Sequence, residues 1–286
     1  MPWVFVLIWS TGFVVARIGM PHSPPFSFLA IRYSLSVLCF GVWIALSKAA
    51  WPRGRGQWRH LAVTGVLMHA GYLGGVWSAV KLGLGAGTVA LLVGLQPVLT
   101  ALWLTARAGD DKQQHVSAQQ WWGLLLGLAG LTLVVWRKLG AGEVSAGNLA
   151  LALLALLSIT AGTLYQKAHV EPCDVRTASV VQLLAALAVS LPIALLEPEA
   201  VQWHPAFIGA MAWSVLALTL GGSSLLYLLI QRGAATRVTS LMYLVPPCTA
   251  FMAWLLFGEA LGGLVLPGLL ITAFGVGLVM REPAVR

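Results

Sequence analysis

Ten apolar stretches follow one another along the chain, near residues 2–18, 28–47, 60–80, 87–106, 119–136, 148–166, 175–195, 206–229, 238–257 and 262–280. Most reach the roughly 20 residues that a helix needs to cross the hydrocarbon core of a bilayer. Backbone in that core must satisfy every N–H and C=O internally, so stretches of this length are helices. The connections are mostly under about 15 residues, too short for an extramembrane domain of about 50 or more. Charged residues are 9% of the 286, against about 25% in a soluble domain, too few to cover a water-facing surface. The sequence predicts an all-α integral membrane protein with ten transmembrane helices. MPWVFVLIWS at the amino terminus lacks a basic region and a small-residue cleavage site, so the first stretch is expected to remain as a helix.

The net charge of +8 raises nucleic acid as a partner, but the basic residues are scattered in small groups between apolar stretches rather than gathered into a motif. No nucleic-acid partner is expected; membrane lipids and a small-molecule substrate are. Cys39, Cys173 and Cys248 form no disulfide framework, and the six histidines are dispersed with no metal-ligand spacing, so neither metal nor cofactor is expected. Lys and Arg favour the cytoplasmic side of short loops. With the amino terminus inside, twelve of the seventeen fall inside, from Lys48 to Arg286, and five outside: Arg17, Arg32, Lys81, Arg137 and Lys138. The split predicts cytoplasmic termini, with Arg137 and Lys138 running against it.

The two halves of the chain match each other. Pro97 precedes Asp110 of Gly109-Asp110 by thirteen residues, and Pro246 precedes Glu259 of Gly258-Glu259 by thirteen, both at an offset of 149. Gly12 and Arg17 match Gly162 and Lys167 at an offset of 150, and Arg32 falls opposite Gln182. WGLLLGLAGLTLVV from Trp122 aligns with PGLLITAFGVGLVM from Pro267, pairing Gly123 with Gly268 and Gly130 with Gly275. The predicted units are residues 1–138, a connecting loop 139–147, and residues 148–286. Five crossings per unit is an odd number, so the second copy is inverted. Inverted repeats open a central site first to one side and then to the other, which implies alternating access.

The residues that carry this repeat also carry a resemblance. Trp9, Gly12 and Arg17, then Pro24, Pro25 and Arg32, GAGTVALLVGLQP ending at Pro97, RGAATRVTSLMYLVP ending at Pro246, and Phe257-Gly258-Glu259 resemble the ten-helix EamA-type transporters of the drug/metabolite transporter superfamily over essentially the whole chain. The resemblance implies two inverted five-helix bundles around a central cavity in the inner membrane of a bacterium or archaeon. It further implies export, or sometimes uptake, of small metabolites such as amino acids. Asp110 stands where the family pattern has Glu, in a loop longer and more polar than usual.

Pro97 and Pro246-Pro247 are placed near the middle of their spans, where a proline frees a backbone carbonyl and kinks a helix beside the cavity or simply shapes the bundle. Gln96 is a polar side chain at depth that contacts substrate or bonds between helices. Arg32, four residues into its predicted span, either attracts an anionic group or snorkels to the interface. His69, Tyr72 and Trp77 of the third span, with Tyr227, Gln231 and Tyr243 of the second half, are further substrate-contact candidates that packing would equally explain. His69 is also a candidate protonatable switch. Arg17, Lys167, Asp110 and Glu259 lie near helix ends and suit anchoring, capping or gating. No Asp or Glu falls in mid-membrane, which argues against carboxylate-based proton coupling. Gly71 with Gly75 and Gly123 with Gly127 permit close helix approach, within the bundle or across a homodimer; a monomer and a homodimer both remain open. The functional expectation is a secondary transporter, not an enzyme, that exports a small amino-acid-like, anionic, zwitterionic or aromatic solute. The alternative is a flippase for a lipid or lipid phosphate, and an intramembrane enzyme lacks any convergent set of nucleophiles, acids or metal ligands.

Overall fold

The computed structural model describes residues 2–107, 118–140, 142–225, 245–259, 263 and 265–279. Asp110, Tyr227, Gln231 and Tyr243 lie outside the described residues. Within them the chain is helical: α1 (Pro2–Gly19), a 3-10 turn (Met20–His22), α2 (Pro25–Ser47), α3 (Arg55–Gly65), π1 (Val66–Gly71), α4 (Tyr72–Lys81), α5 (Ala86–Val93), α6 (Gln96–Arg107), α7 (Ala118–Gly140), α8 (Ala146–His169), α9 (Val175–Leu196), α10 (Pro205–Trp213), π2 (Ser214–Ser223), α11 (Val245–Phe257) and α12 (Val265–Val279). Among the described residues five helices are long and apolar enough to cross a membrane, and four further apolar helices are shorter. The exterior is correspondingly apolar, with Leu46, Leu195, Leu196 and Trp136 among its exposed side chains. The protein is an all-α, multi-spanning membrane protein.

Two spans depart from uninterrupted α-helices. The third starts earlier than expected, at Arg55, and runs through π1 into α4 with helical backbone at both junctions. A π-turn bonds i to i+5 and so rotates the residues beyond it away from ordinary helical spacing. Ordinary helical spacing would place His69, Tyr72 and Val76 on one face; π1 includes His69 and ends just before Tyr72, so that alignment does not hold. The eighth span carries the second π-segment, π2. The fourth span, read as one helix, is two: α5 ends at Val93 and α6 begins at Gln96. Pro97 is thus not a kink inside a helix. It is the second residue of α6, where its missing N–H is one of those that have no helical partner anyway. Pro246 and Pro247 are the second and third residues of α11 as described. A Cβ on Gly94, at the break, would lie 2.7 Å from Pro246 Cγ, so the broken segment of one half rests on the proline of the other.

Packing joins the halves throughout. Helix α2 lies on α9, α4 on α8, α5 on α11, and α7 on α12. The last pair is held by glycine: a Cβ on Gly130 would meet the Gly268 carbonyl at 2.5 Å, and one on Gly275 would meet the Gly123 carbonyl at 2.5 Å. The repeat equates Gly123 with Gly268 and Gly130 with Gly275, so these two contacts exchange when the halves are exchanged. Gly71 and Gly75 pack in the same way on Ser158, Leu151 and Ala155 of α8, so these glycine faces are occupied inside the bundle.

Helix ends are tied by polar groups that fall into two sets. In one, Glu197 accepts from Phe26 N at 2.9 Å and from Ser27 N at 2.7 Å, Gln202 N donates to the His22 carbonyl, and Lys81 pairs with Glu199 at 2.6 Å. Ser145 and Asn148 form a reciprocal capping box on α8, and Asn148 Nδ2 also donates to the Leu82 and Glu143 carbonyls. In the other set, Thr177 donates to the Ala50 carbonyl, Gln57 bonds the Glu171 backbone through both its amide groups, and His60 Nδ1 lies 2.9 Å from Tyr165 Oη. Asp174 caps α9 by accepting from Arg176 N, and its carboxyl is held below the usual carboxylate range, chiefly by the hydrogen bond from the Arg176 side chain.

Candidate functional site

The site builds outward from Arg32. Helix α2 begins at Pro25, so Arg32 is its eighth residue and lies roughly 10 Å along the axis from its start. It is 7% exposed and turned into the bundle. The interfacial snorkelling considered from the sequence does not occur. Its Nε and Nη2 donate to Thr219 Oγ1 of π2 at 3.2 and 3.1 Å. The Thr219 hydroxyl gives its own proton to the Ser214 carbonyl at 2.9 Å, five residues back along the π-segment. Both of its lone pairs are thereby left for the guanidinium. Arg32 Cζ also lies 6.0 Å from the centre of the Trp77 ring. The guanidinium makes no ion pair among the described residues. Of the nine acidic residues in the chain, eight fall in the connections between apolar stretches and Glu282 follows the last of them.

His69 and Gln182 make the companion contact. The His69 side chain lies beside that of Gln182, where π1 packs on α9. The adjoining backbone is tight, because Gly65 of α3 lies directly against the Gln182 backbone, leaving no space for a Cβ. Tyr33 donates its hydroxyl to the His69 carbonyl at 2.9 Å, within the segment where π1 disturbs the helical ladder. Tyr33 and Tyr72 are both buried and close enough to Arg32 to interact with its charge. Trp77 is 1% exposed and packs on Phe28 with ring centres 4.2 Å apart.

Of the residues singled out from sequence, Arg32, His69, Tyr72 and Trp77 are therefore gathered in one region. Gln96 Nε2 donates to Thr163 Oγ1 at 2.9 Å, an interhelical bond from α6 to α8. Glu259 accepts from Ala86 N at 2.9 Å, capping α5 in the other half of the chain. Gly258 ends α11 with φ of 66°, a left-handed turn that glycine adopts without strain, and the turn carries Glu259 to α5. Arg17 is half-buried near the end of α1, and Lys167 is exposed in the last turn of α8. Sequence reasoning did not single out Thr219, Thr163, Tyr33 or Glu197. Thr219 was detectable in principle, since it stands 150 residues from His69, as Gln182 does from Arg32.

The described helices thus form a polytopic bundle in which a buried cation, Arg32, bonds across to Thr219. The EamA-like transporter family matches residues 3–136 and 147–281, and the chain belongs to it. It is similar to the transporter YvbV of Bacillus subtilis, 25% identical over 96% of this chain and 88% of that protein. A probable amino-acid metabolite efflux pump of Salmonella typhimurium is 23% identical over 94% of this chain and 92% of its own length. The Escherichia coli inner membrane transporter YedA is 25% identical over 96% and 87% respectively. A solved crystal structure with 18% identity superposes with a TM-score of 0.67 over 97% of this chain and 95% of its own, a likeness of fold.

Proposed function

We propose that the chain is an inner-membrane exporter that moves a small metabolite bearing a carboxylate by alternating access between two inverted five-helix halves. Buried Arg32, held among the described residues by a hydroxyl and the face of an indole and by no carboxylate, is the observation that carries this reading. A charge at that depth is costly unless it is paired, and the chain places no carboxylate within an apolar stretch to pair it. A solute's anionic group meets that need. Inversion is supported by the exchange of the Gly130–Gly268 and Gly123–Gly275 contacts, and by the separate family matches to the two halves. It is also supported by the connections. Those bonded through Glu197, Lys81 and Asn148 are the ones the charge count places outside, and those bonded through Gln57 and Thr177 are the ones it places inside. Export and an amino-acid-like solute are favoured by what the Salmonella relative is named for.

The test is counterflow in proteoliposomes loaded with amino acids and related metabolites, followed by mass spectrometry, with Arg32→Gln beside the parent. Saturable exchange of an acid, lost in Arg32→Gln while the variant remains folded, is the expected result. Exchange that survives in Arg32→Gln refutes the site. No exchange across the panel with folded parent protein refutes the small-solute reading and directs the search to lipids.

A further inference from the structure

The contacts around Arg32 and His69 form a crossed pair that the repeat explains. Arg32 and Gln182 are equivalent positions, 150 residues apart, and so are His69 and Thr219. Arg32 of the first half bonds Thr219 of the second, and Gln182 of the second lies beside His69 of the first, where α9 packs on π1. Exchanging the halves turns one contact into the other. Both π-segments lie at these contacts, π1 carrying His69 and π2 carrying Thr219.

The geometry is two-fold, but the chemistry is not. One pole holds a permanent cation and the other a neutral amide. At the charged pole Thr219 accepts two N–H groups of a guanidinium that has five, and its hydroxyl proton is committed within its own helix. A carboxylate makes shorter and roughly twice as strong bonds to the same donors, and bidentately. At the neutral pole no Lys or Arg among the described residues is placed to pair a second negative charge.

Resting on the transport reading above, we propose that Thr219 and Gln182 set the charge specificity of the site. Thr219 is the neutral stand-in that a solute's single negative charge displaces from Arg32, and Gln182 keeps the mirror-related pole uncharged, so the site takes one anionic group and not two. Trp77 lies over Arg32 and Tyr33 against His69, so each pole is flanked by an aromatic ring. Cations meet Arg32 and are refused.

The test uses four solutes of similar body and different charge: phenylacetate, phenylalanine, phenylsuccinate and phenethylamine. Binding to the purified protein is read from ligand-induced thermal stabilisation. The parent is expected to bind phenylacetate or phenylalanine at least tenfold more tightly than phenylsuccinate, and to show no response to phenethylamine. Thr219→Asp, which supplies an internal counterion, is expected to lose at least tenfold in phenylacetate affinity. Thr219→Val, which removes the stand-in, is expected to bind phenylacetate as tightly as the parent or several-fold tighter. Gln182→Arg combined with His69→Thr, which copies the charged pole into the second half, is expected to gain at least tenfold for phenylsuccinate. A parent that binds mono- and dianion equally, or none of the four, overturns the proposal without any variant. So does a Thr219→Asp protein that is monodisperse on size exclusion and binds phenylacetate like the parent. Arg32→Gln separates the two claims: if it binds phenylacetate as the parent does, the transport site itself is misplaced. If it loses binding while Thr219→Asp retains it, only the role of Thr219 falls.

Discussion

The contact between Glu259 and the start of α5 predicts a specific energetic coupling across the two halves. Glu259 Oε1 accepts from Ala86 N at 2.9 Å at a helix N-terminus, where a carboxylate also meets the positive end of the helix dipole. Removing such a cap costs about 1–2 kcal/mol, so Glu259→Ala is expected to destabilise the protein by that amount. Gly85 faces the same carboxylate. A Cβ there would stand 2.7 Å from Glu259 Oε2, and the three atoms nearest to it all belong to Glu259. Gly85 has φ of −59° and ψ of 144°, which alanine adopts freely, so the penalty for Gly85→Ala comes from the carboxylate and not from the backbone. Overpacking of this kind costs about 1–3 kcal/mol. In the Glu259→Ala background the obstacle is gone, and Gly85→Ala becomes neutral or stabilises by a few tenths to about 1 kcal/mol through the unfolded chain. The double-mutant cycle is therefore expected to show a coupling of about 1 kcal/mol or more. Unfolding by SDS in mixed micelles, followed through the thirteen tryptophans, supplies the four free energies. Additivity to within about 0.5 kcal/mol would show that Glu259 does not occupy the α5 terminus.

Three further predictions use the same titration. Gly130→Ala and Gly275→Ala are each expected to cost about 1–3 kcal/mol, because their Cβ atoms meet backbone of the facing helix, while Gly209→Ala and Gly277→Ala, with nothing within 4 Å, serve as neutral controls. Equal behaviour of the two pairs would refute the α7–α12 packing. Asp174 contributes stability only while ionised: its folded pKa lies below the unfolded value of about 3.9, so the contribution is complete at neutral pH and disappears as pH falls through the folded value. Because Asp174 and Arg176 are partly exposed, Asp174→Asn is expected to cost under about 1 kcal/mol at pH 7 and progressively less below about pH 4; a difference that stays constant to pH 3 is the contrary result. Glu197→Ala should cost about 1–2 kcal/mol by uncapping α2, and Glu197→Gln about half as much, since an acceptor is retained and the charge is not; equal losses would refute a charge-assisted cap.

Helix existence was legible in the sequence because it follows from the solvent: in lipid a long apolar run has no other way to satisfy its backbone. The equivalences 32 with 182 and 123 with 268 were also legible, as spacings. What the spacing does not carry is which equivalent positions touch. Arg32 bonds not its counterpart Gln182 but Thr219, the counterpart of His69, and that crossing depends on how inverted halves interleave. The π-segments escaped notice because an inserted residue changes the period only locally, and composition around His69 or Thr219 gives no sign of it. Pro97 was legible as a disturbance but not as the start of a helix, since the break at Gly94–Leu95 is set against Pro246, far away in the chain. Gly258-Glu259 was legible as a helix stop, whereas the helix that the acid caps begins 173 residues earlier.

The acids that cap α2 and α5 both come from the other half of the chain. In evolutionary terms this makes the two repeats a single heritable unit. A substitution at Glu259 alters the selection acting on Gly85 and Gly87, and one at Glu197 alters that on Ser27. A first half that changed without the second would lose the acids that cap α2 and α5, so substitutions in the two halves are constrained to occur in step.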